Sequence, residues 1–447
     1  MYNYLVHTED DIKQLLDSIG LESIEDLFKQ IPESLKNFQL NLPDSYSELE
    51  LCDKVEKLAL KNRNLSQVDS FLGAGVYNRY IPKAVFSILQ RSEFYTAYTP
   101  YQPEISQGTL QSIYEFQSMI CFLTGMDVAN ASMYDGASAA AEALLMAVRL
   151  TKKNKILVPL SIHPEYRQVM KTYTNPVSIE LIDINYEDGV SSLKEIEKKL
   201  DNTCAAVIIQ TPNFFGCLEK ISTIADLTHK TGALFIVISE PVSLGILKSP
   251  GENGADIVVG DCQSIGNLPY FGGPHIGFIA CKEKYLRQLP GRIVGATVDV
   301  KGERCFTLTL QTREQHIRRE KATSNICSNQ ALNALATTVY LSLLGKHGLK
   351  EVANISLQRA HYLANKINKI NGIKLAFNNP FFNEFVIKCD AVENLLNELL
   401  KNDIIGGVNL SRWYPELQNH LLICVTEMNS IESIDRFVIS LEKIINS

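Results

Sequence analysis

The chain has 447 residues, a formal net charge of -7, 45% hydrophobic and 21% charged residues. That balance fills a large globular core, and the mild negative charge argues against nucleic acid as the main partner, since phosphates call for a basic surface. No apolar run is long enough to cross a bilayer and the start is polar and acidic, so a cytoplasmic protein with no membrane partner is expected. The ten cysteines are dispersed and none forms a Cys-x-x-Cys pair, which speaks against a metal centre and fits a reducing compartment.

Residues 1–125 read as a helical arm that ends in a recognition loop. Thr8 with Asp11 and Ser47 with Glu50 have the spacing of capping boxes. Ile12, Leu15, Leu16 and Ile19 fall on one helical face, as do Leu51, Val55 and Leu58. Residues 71–76, Phe-Leu-Gly-Ala-Gly-Val, read as a flexible turn. The stretch 93–108, Glu-Phe-Tyr-Thr-Ala-Tyr-Thr-Pro-Tyr-Gln-Pro-Glu-Ile-Ser-Gln-Gly, stands between two helical patterns. Pro100 and Pro103 keep their predecessors extended. Tyr95, Tyr98 and Tyr101 place phenols on this stiff segment, and Gln102, Glu104 and Gln107 add polar heads. Two readings stand: a surface loop with aromatic anchors, or a recognition segment that enters a cleft, including one on another chain. A helix follows from about 107 to 124 and stops at Gly125.

Residues 126–328 change period. Short β-rich runs at 155–159, 177–182, 205–210, 234–239, 256–259 and 277–281 alternate with helical stretches at 192–200 and 219–230, which predicts a mainly parallel sheet covered on both faces. Ligands of such sheets sit at the carboxyl ends of the strands. Residues 329–447 read as a small α+β domain: helices at 331–344, 357–370 and 431–445, strands at 373–377, 384–389 and 421–426, and Trp413 in the core.

Three stretches have possible chemistry. Tyr134-Asp-Gly-Ala-Ser-Ala-Ala-Ala-Glu142 looks like a loop entering a helix, with Asp135 or Ser138 as cap, and is either an anion site or an ordinary capped start. Gly272-Gly-Pro-His275 allows close backbone approach or makes a plain turn. Residues 311–321 are dense in charge around His316, either an anion-binding or docking surface or a solvated helix. Residue chemistry alone reaches an α/β protein with a small C-terminal domain and assigns no reaction.

Phe94-Tyr-Thr-Ala-Tyr-Thr-Pro-Tyr-Gln-Pro-Glu-Ile-Ser-Gln-Gly108, Asp127-Val-Ala-Asn-Ala-Ser132, Gly136-Ala-Ser-Ala-Ala-Ala-Glu-Ala143, Leu289-Pro-Gly-Arg-Ile-Val-Gly295 and residues 310–327 resemble the motifs of the glycine cleavage P-protein family, glycine dehydrogenase (decarboxylating). The similarity runs over essentially the whole chain. The resemblance implies a fold-type-I pyridoxal-phosphate (PLP) transferase of the aspartate-aminotransferase-like kind: a mainly parallel central sheet, a helical N-terminal arm and a small C-terminal domain. That family occurs as one long chain of two related halves or as two subunits, and this chain looks like the N-terminal half, the first subunit of the split form. The enzyme so implied decarboxylates glycine with PLP and passes the aminomethyl group to the lipoyl arm of the H-protein.

Two positions depart from the catalytic half. Gln263-Ser264 stands where that half has His-Lys, and no lysine occurs between Lys248 and Lys282. Ile238-Ser-Glu-Pro241 stands where an aspartate would meet the pyridine nitrogen. The expectation is therefore a chain that does not hold PLP covalently and contributes no catalytic or cofactor-binding residue of its own. Its partner subunit would carry PLP, two of each forming the heteromer. Tyr95, Tyr98, Tyr101, Gln102, Glu104 and Gln107 would shape the partner's pocket for glycine or the lipoyl arm. The alternatives are a purely structural subunit and an independent PLP-dependent amino-acid decarboxylase.

Overall fold

The computed structural model describes residues 6–36, 39–270, 272–324, 326 and 329–446. Residues 1–5 of the acidic start, Phe271, and Asn325 and Cys327 of the last family motif lie outside the described residues. The chain divides into two units, 1–63 and 64–447.

The first unit holds two capped helices, α1 (Glu9–Ser18) and α2 (Glu48–Ala59). Thr8 with Asp11 and Ser47 with Glu50 form the capping boxes that their spacing predicts. Neither helix buries a residue, and Leu15, Ile19, Leu49, Val55 and Leu58 are exposed.

The second unit is built on a seven-stranded sheet. Its strands are β1 (Val128–Ala129), β2 (Lys155–Pro159), β3 (Glu180–Ile184), β4 (Cys204–Thr211), β5 (Leu234–Ser239), β6 (Ile257–Asp261) and β7 (Gly277–Cys281), in the order β1-β7-β6-β5-β4-β2-β3. The run from β6 to β3 is parallel and β7 is antiparallel to both neighbours. The expected second strand begins later than 177, because Asn175–Val177 forms a tight helical turn.

Both faces of the sheet are covered, which is why its strands are apolar without alternation. Leu157, Val207, Phe235, Val237 and Phe278 pack on one face against α3 (Gln107–Thr124) and against Ala334, Ala336, Tyr340 and Leu341 of a later helix. Ile156, Ala206, Ile208, Ile236 and Ile279 pack on the other against α4 (Gly136–Thr151) and α5 (Pro164–Thr174). Gly125 ends α3 in the left-handed conformation, at φ 69°. A hairpin unforeseen from sequence, β8 (Ile293–Val298) with β9 (Arg304–Thr309), packs on α3 through Val294, Phe306 and Leu308.

The two helices expected at 331–344 and 357–370 are both present: α6 (Ala331–Ile367) holds two helices that meet at a kink at Gly345, with φ 57° and ψ -170°, so the first ends as expected and the second starts well before 357. A four-stranded sheet follows: β10 (Lys374–Leu375), β11 (Glu384–Lys388), β12 (Val408–Asn409) and β13 (His420–Cys424), in the order β10-β11-β13-β12, covered by α7 (Ile431–Ile445). Trp413 is half-buried, edge-on to Phe214 at 5.5 Å.

Residues 71–76 are not a flexible turn. Phe71 is fully buried and stacks on Phe437 at 4.2 Å. The Glu384 carboxylate accepts from the Ala74 amide at 2.7 Å and the Tyr77 hydroxyl at 2.8 Å. Burial pushes this carboxyl from 4.5 up to about 7, opposed by its two donors. A carboxyl so raised binds more protons folded than unfolded between those values, so the stability it contributes falls as pH rises through that window. Glu384→Gln keeps an acceptor for the Ala74 amide and is expected to remove that slope, worth up to about 3 kcal/mol. Urea unfolding at about pH 5 and about pH 8 measures it.

Candidate functional site

Two places concentrate polar chemistry. The first lies at the carboxyl ends of β4, β5 and β6, where the sheet meets the start of α4. Asp135 caps that helix, its carboxylate accepting from the Ser138 amide at 2.7 Å. Asp261, the last residue of β6, accepts from the Gly136 amide at 3.0 Å through Oδ2 and from the Gln263 amide at 2.8 Å through Oδ1. The His275 Nδ1 lies 3.5 Å from the same Oδ2, and this carboxylate raises the affinity of His275 for a proton. Of the two readings for this helix start, the capped start is what is seen, and its first amides are taken by the chain's own carboxylates.

An open cavity of about 420 Å³ lies outside it, lined by Tyr134, Asp135, His163, Tyr166, Asp261 and His275. His163 sits between the Ala74 carbonyl, 2.9 Å from Nε2, and the Glu165 amide, which donates to Nδ1 at 3.2 Å. That arrangement calls for the neutral ring with its proton on Nε2, and burial lowers its pKa. Behind Asp261 a hollow of about 30 Å³ is lined by Tyr77, Gln210, Ser239, Glu240, Gln263 and Ser264. Gln263 uses both ends of its amide: the Tyr77 amide donates to Oε1 at 2.8 Å, and Nε2 donates to the Tyr77 and Asn267 carbonyls at 3.0 and 2.8 Å. Ser264 donates to Glu240 at 2.6 Å, and Glu240 also accepts from the Ser243 amide at 2.7 Å.

The second place is the Tyr/Pro loop. Its organiser is Arg292, whose side chain is 4% exposed. The guanidinium donates to the Thr99 hydroxyl at 3.0 Å and the Tyr101 hydroxyl at 3.1 Å, and its Nε lies 3.4 Å from the Glu314 carboxylate. His316 lies edge-on to Tyr101 at 6.4 Å. The loop and the charged segment 311–321 therefore meet on one buried cation. Arg313 turns inward, donating to the carbonyls of Leu289, Gly291 and Leu310.

Of the six residues singled out from sequence, Tyr95, Tyr98, Tyr101, Gln102 and Glu104 are exposed on the loop, and only Tyr101 is tied to Arg292. Gln107 departs from them. Its amide donates to the Pro103 and Phe306 carbonyls at 2.7 and 2.9 Å and accepts from the Phe306 amide at 2.8 Å, so it stitches the loop to β9. Arg292 and Glu314 were not singled out. The signals for them are that each lies within a motif shared with the family and that Glu314 belongs to the charge-dense segment 311–321.

A family model described as glycine cleavage system P-protein matches residues 2–441. The chain belongs to the glycine cleavage P-protein family. Among full-length relatives, it is 56% identical to the probable glycine dehydrogenase (decarboxylating) subunit 1 of Desulfitobacterium hafniense, over 99% of this chain and 100% of the relative. It is 54% identical to the protein of the same name from Carboxydothermus hydrogenoformans, over 97% of this chain and 98% of the relative. A crystal structure of glycine decarboxylase (P-protein) of the glycine cleavage system, in inhibitor-bound form, matches at TM-score 0.92 and 42% identity, over 99% of this chain and 100% of that one. A NifS-like protein at 13% identity shares the fold, with TM-score 0.65 over 85% of this chain and 99% of that one. The chain thus has the fold of the fold-type-I PLP-dependent enzymes, and among its described residues no helix is long and apolar enough to cross a membrane.

The Arg292 cluster makes a structural claim that can be checked. Arg292→Ala leaves Glu314 buried without its cation and is expected to cost about 3–5 kcal/mol. It should also speed proteolytic cleavage within 95–101, read by mass spectrometry of limited digests.

Proposed function

We propose that this chain is the cofactor-free subunit of a two-subunit glycine decarboxylase. Its partner, the second subunit, holds PLP, and two of each assemble in the cytoplasm. The assembled enzyme decarboxylates glycine and passes the aminomethyl group to the lipoyl arm of the H-protein. The observation that carries this reading is at 263–264. Where a Schiff-base lysine is required, Ser264 is hydrogen-bonded to Glu240, and residues 249–281 contain no lysine at all.

The surroundings of that position do not fit the cofactor either. PLP needs an amine for its aldehyde, a seat for its phosphate and a partner for its ring nitrogen. Here carboxylates occupy the helix start, Glu240 is committed to Ser264 and Ser243, and the space behind Asp261 is about 30 Å³. No step of the reaction is assigned to this cavity.

The loop at 94–107 is this chain's contribution to the partner's site. Tyr95, Tyr98, Tyr101, Gln102 and Glu104 shape the pocket for glycine or the lipoyl arm and exclude water from it. Arg292 orients Tyr101 and Thr99, and Gln107 holds the base of the loop to β9. Exposed phenols are suited to this work because each presents a large apolar face and a polar tip with little rotamer freedom to lose.

The test uses the chain alone, the partner alone and their mixture, each supplied with PLP, glycine, bicarbonate and H-protein. The chain alone should show no borohydride-reducible adduct and no glycine-carboxyl exchange, while the mixture exchanges well beyond the partner alone. A reducible adduct on this chain would overturn the reading. Tyr98→Phe and Glu104→Gln in the mixture should each lower turnover by about tenfold or more, equivalent to about 1.4 kcal/mol at the barrier. Turnover like wild type in both variants would leave this chain a structural partner only.

A further inference from the structure

We propose that the Asp261 carboxylate is a built-in anion that occupies a phosphate-binding position at the start of α4, and that this residue decides against phosphorylated ligands in this subunit. The inference deepens the reading of a cofactor-free chain and rests on it. In the intact protein the position refuses phosphate. Without the Asp261 carboxylate it becomes a site for inorganic phosphate.

The donors around Asp261 are those that an oxyanion uses. The Gly136 amide opens a 16-residue helix, whose first amides and dipole favour negative charge. The Gln263 amide points to the other oxygen of the same carboxylate, and His275 Nδ1 stands beside it. These three groups come from the start of α4, the end of β6 and the turn before β7, so they converge at the carboxyl edge of the sheet, where α/β folds place their ligands. Gly136 and Ala137 keep the helix start bare. A side chain on residue 136 would collide with the Tyr166 hydroxyl and approach the Asp261 Cβ.

A second observation points the same way. The Ser239 hydroxyl, on a residue 2% exposed, has no hydrogen-bond partner among the described residues, and it lines the same small hollow as Asp261. A buried hydroxyl left unpaired is costly, so the hollow of about 30 Å³ calls for a small polar occupant beside the Asp261 carboxylate. The wider cavity of about 420 Å³, lined by Asp135, Ala137, Asp261 and His275, gives a small anion access to the Asp261 carboxylate from outside. What prevents its entry is charge. A phosphate would have to share the Gly136 and Gln263 amides with an existing carboxylate, with Asp135 close by. The consequence for assembly is that PLP supplied to both subunits is directed to one of them.

The experiment titrates inorganic phosphate into the full chain by calorimetry and follows line broadening by phosphorus NMR. Wild type, Asp261→Ala, Asp261→Ser and the control Asp127→Ala are compared, each checked for folding by circular dichroism and melting. Asp127 caps the Glu283 amide on another part of the surface, so its removal matches the charge change elsewhere. Wild type and Asp127→Ala should show no saturable binding, and Asp261→Ala should bind at least about tenfold tighter than either, a difference of about 1.4 kcal/mol. If the alanine variant does not fold, the serine variant is judged by the same criterion, because its shorter side chain leaves the Gly136 amide open. Saturable binding by wild type as tight as by an Asp261 variant overturns the proposal. So does a folded Asp261 variant that binds no better than wild type, or an equal improvement in Asp127→Ala. None of these outcomes depends on turnover, so a failure of the loop residues and a failure of this proposal are told apart.

Discussion

The hydrogen bond from the Gly136 amide to the Asp261 carboxylate joins the start of α4 to the end of β6. The polar end of the large domain depends on it. A helix that begins against buried strand ends has amides with no intrahelical partner, and water cannot reach all of them. Asp135 satisfies one of these amides and Asp261 another. Ala139, Ala140, Ala143 and Ala147 then let α4 lie close on the sheet along its whole length. Once a carboxylate is fixed there, the neighbouring features follow. His275 is drawn toward it, Gln263 is turned back onto the Tyr77 backbone, and a large cavity remains on the solvent side only.

The loop is held by a different physics. Few backbone hydrogen bonds anchor residues 95–101 to the rest of the chain, so their position comes from side chains. Arg292 presents a planar fork with several donors at fixed angles: it donates to Thr99 and Tyr101 while its charge faces the Glu314 carboxylate. A lysine has one charged atom on a flexible stem and cannot reproduce that division. The result is a segment whose inner hydroxyls are fixed while the rings of Tyr95, Tyr98 and Tyr101 stay 66%, 74% and 52% exposed. That is the arrangement expected of a surface prepared for contact.

How much of this was legible in the sequence follows from how local each cause is. The strands at 155–159, 234–239 and 277–281 were readable because burial on both faces leaves continuous apolar runs bounded by turns. The end of α3 was readable because a left-handed residue there calls for glycine. The hairpin β8–β9 was not: Ala296, Thr297 and Val298 are exposed, so it lacks the apolar signature of a central strand. The polar stretch after Gly345 hid the early start of the second helix of α6. Residues 71–76 looked flexible because glycine marks freedom locally, whereas here the freedom is removed by residues more than 300 positions away. The Tyr/Pro loop could be found by composition. Arg292, Glu314 and the role of Gln107 could not, because each is defined by partners distant in sequence.

Those distant partners also set an order of assembly. Ser70 pairs with Ile405, the Phe71 carbonyl accepts from the Cys424 amide, and Arg79 meets Glu427 at 2.8 Å. In synthesis from the N-terminus, the segment 69–79 is therefore made early, and beyond His163 and Gln263 its partners appear only when nearly the whole chain has left the ribosome. Contacts that close so large a loop form late, since the entropy of closure must be met before they stabilise anything. The large sheet can be complete at residue 281 while this segment still waits. Its last step, docking across the C-terminal sheet, also brings Ala74 to His163 and Tyr77 to Gln263 at the carboxyl edge. The walls of the inner hollow are thus the final part of the subunit to close, and they close only on a chain that has been made almost to its end.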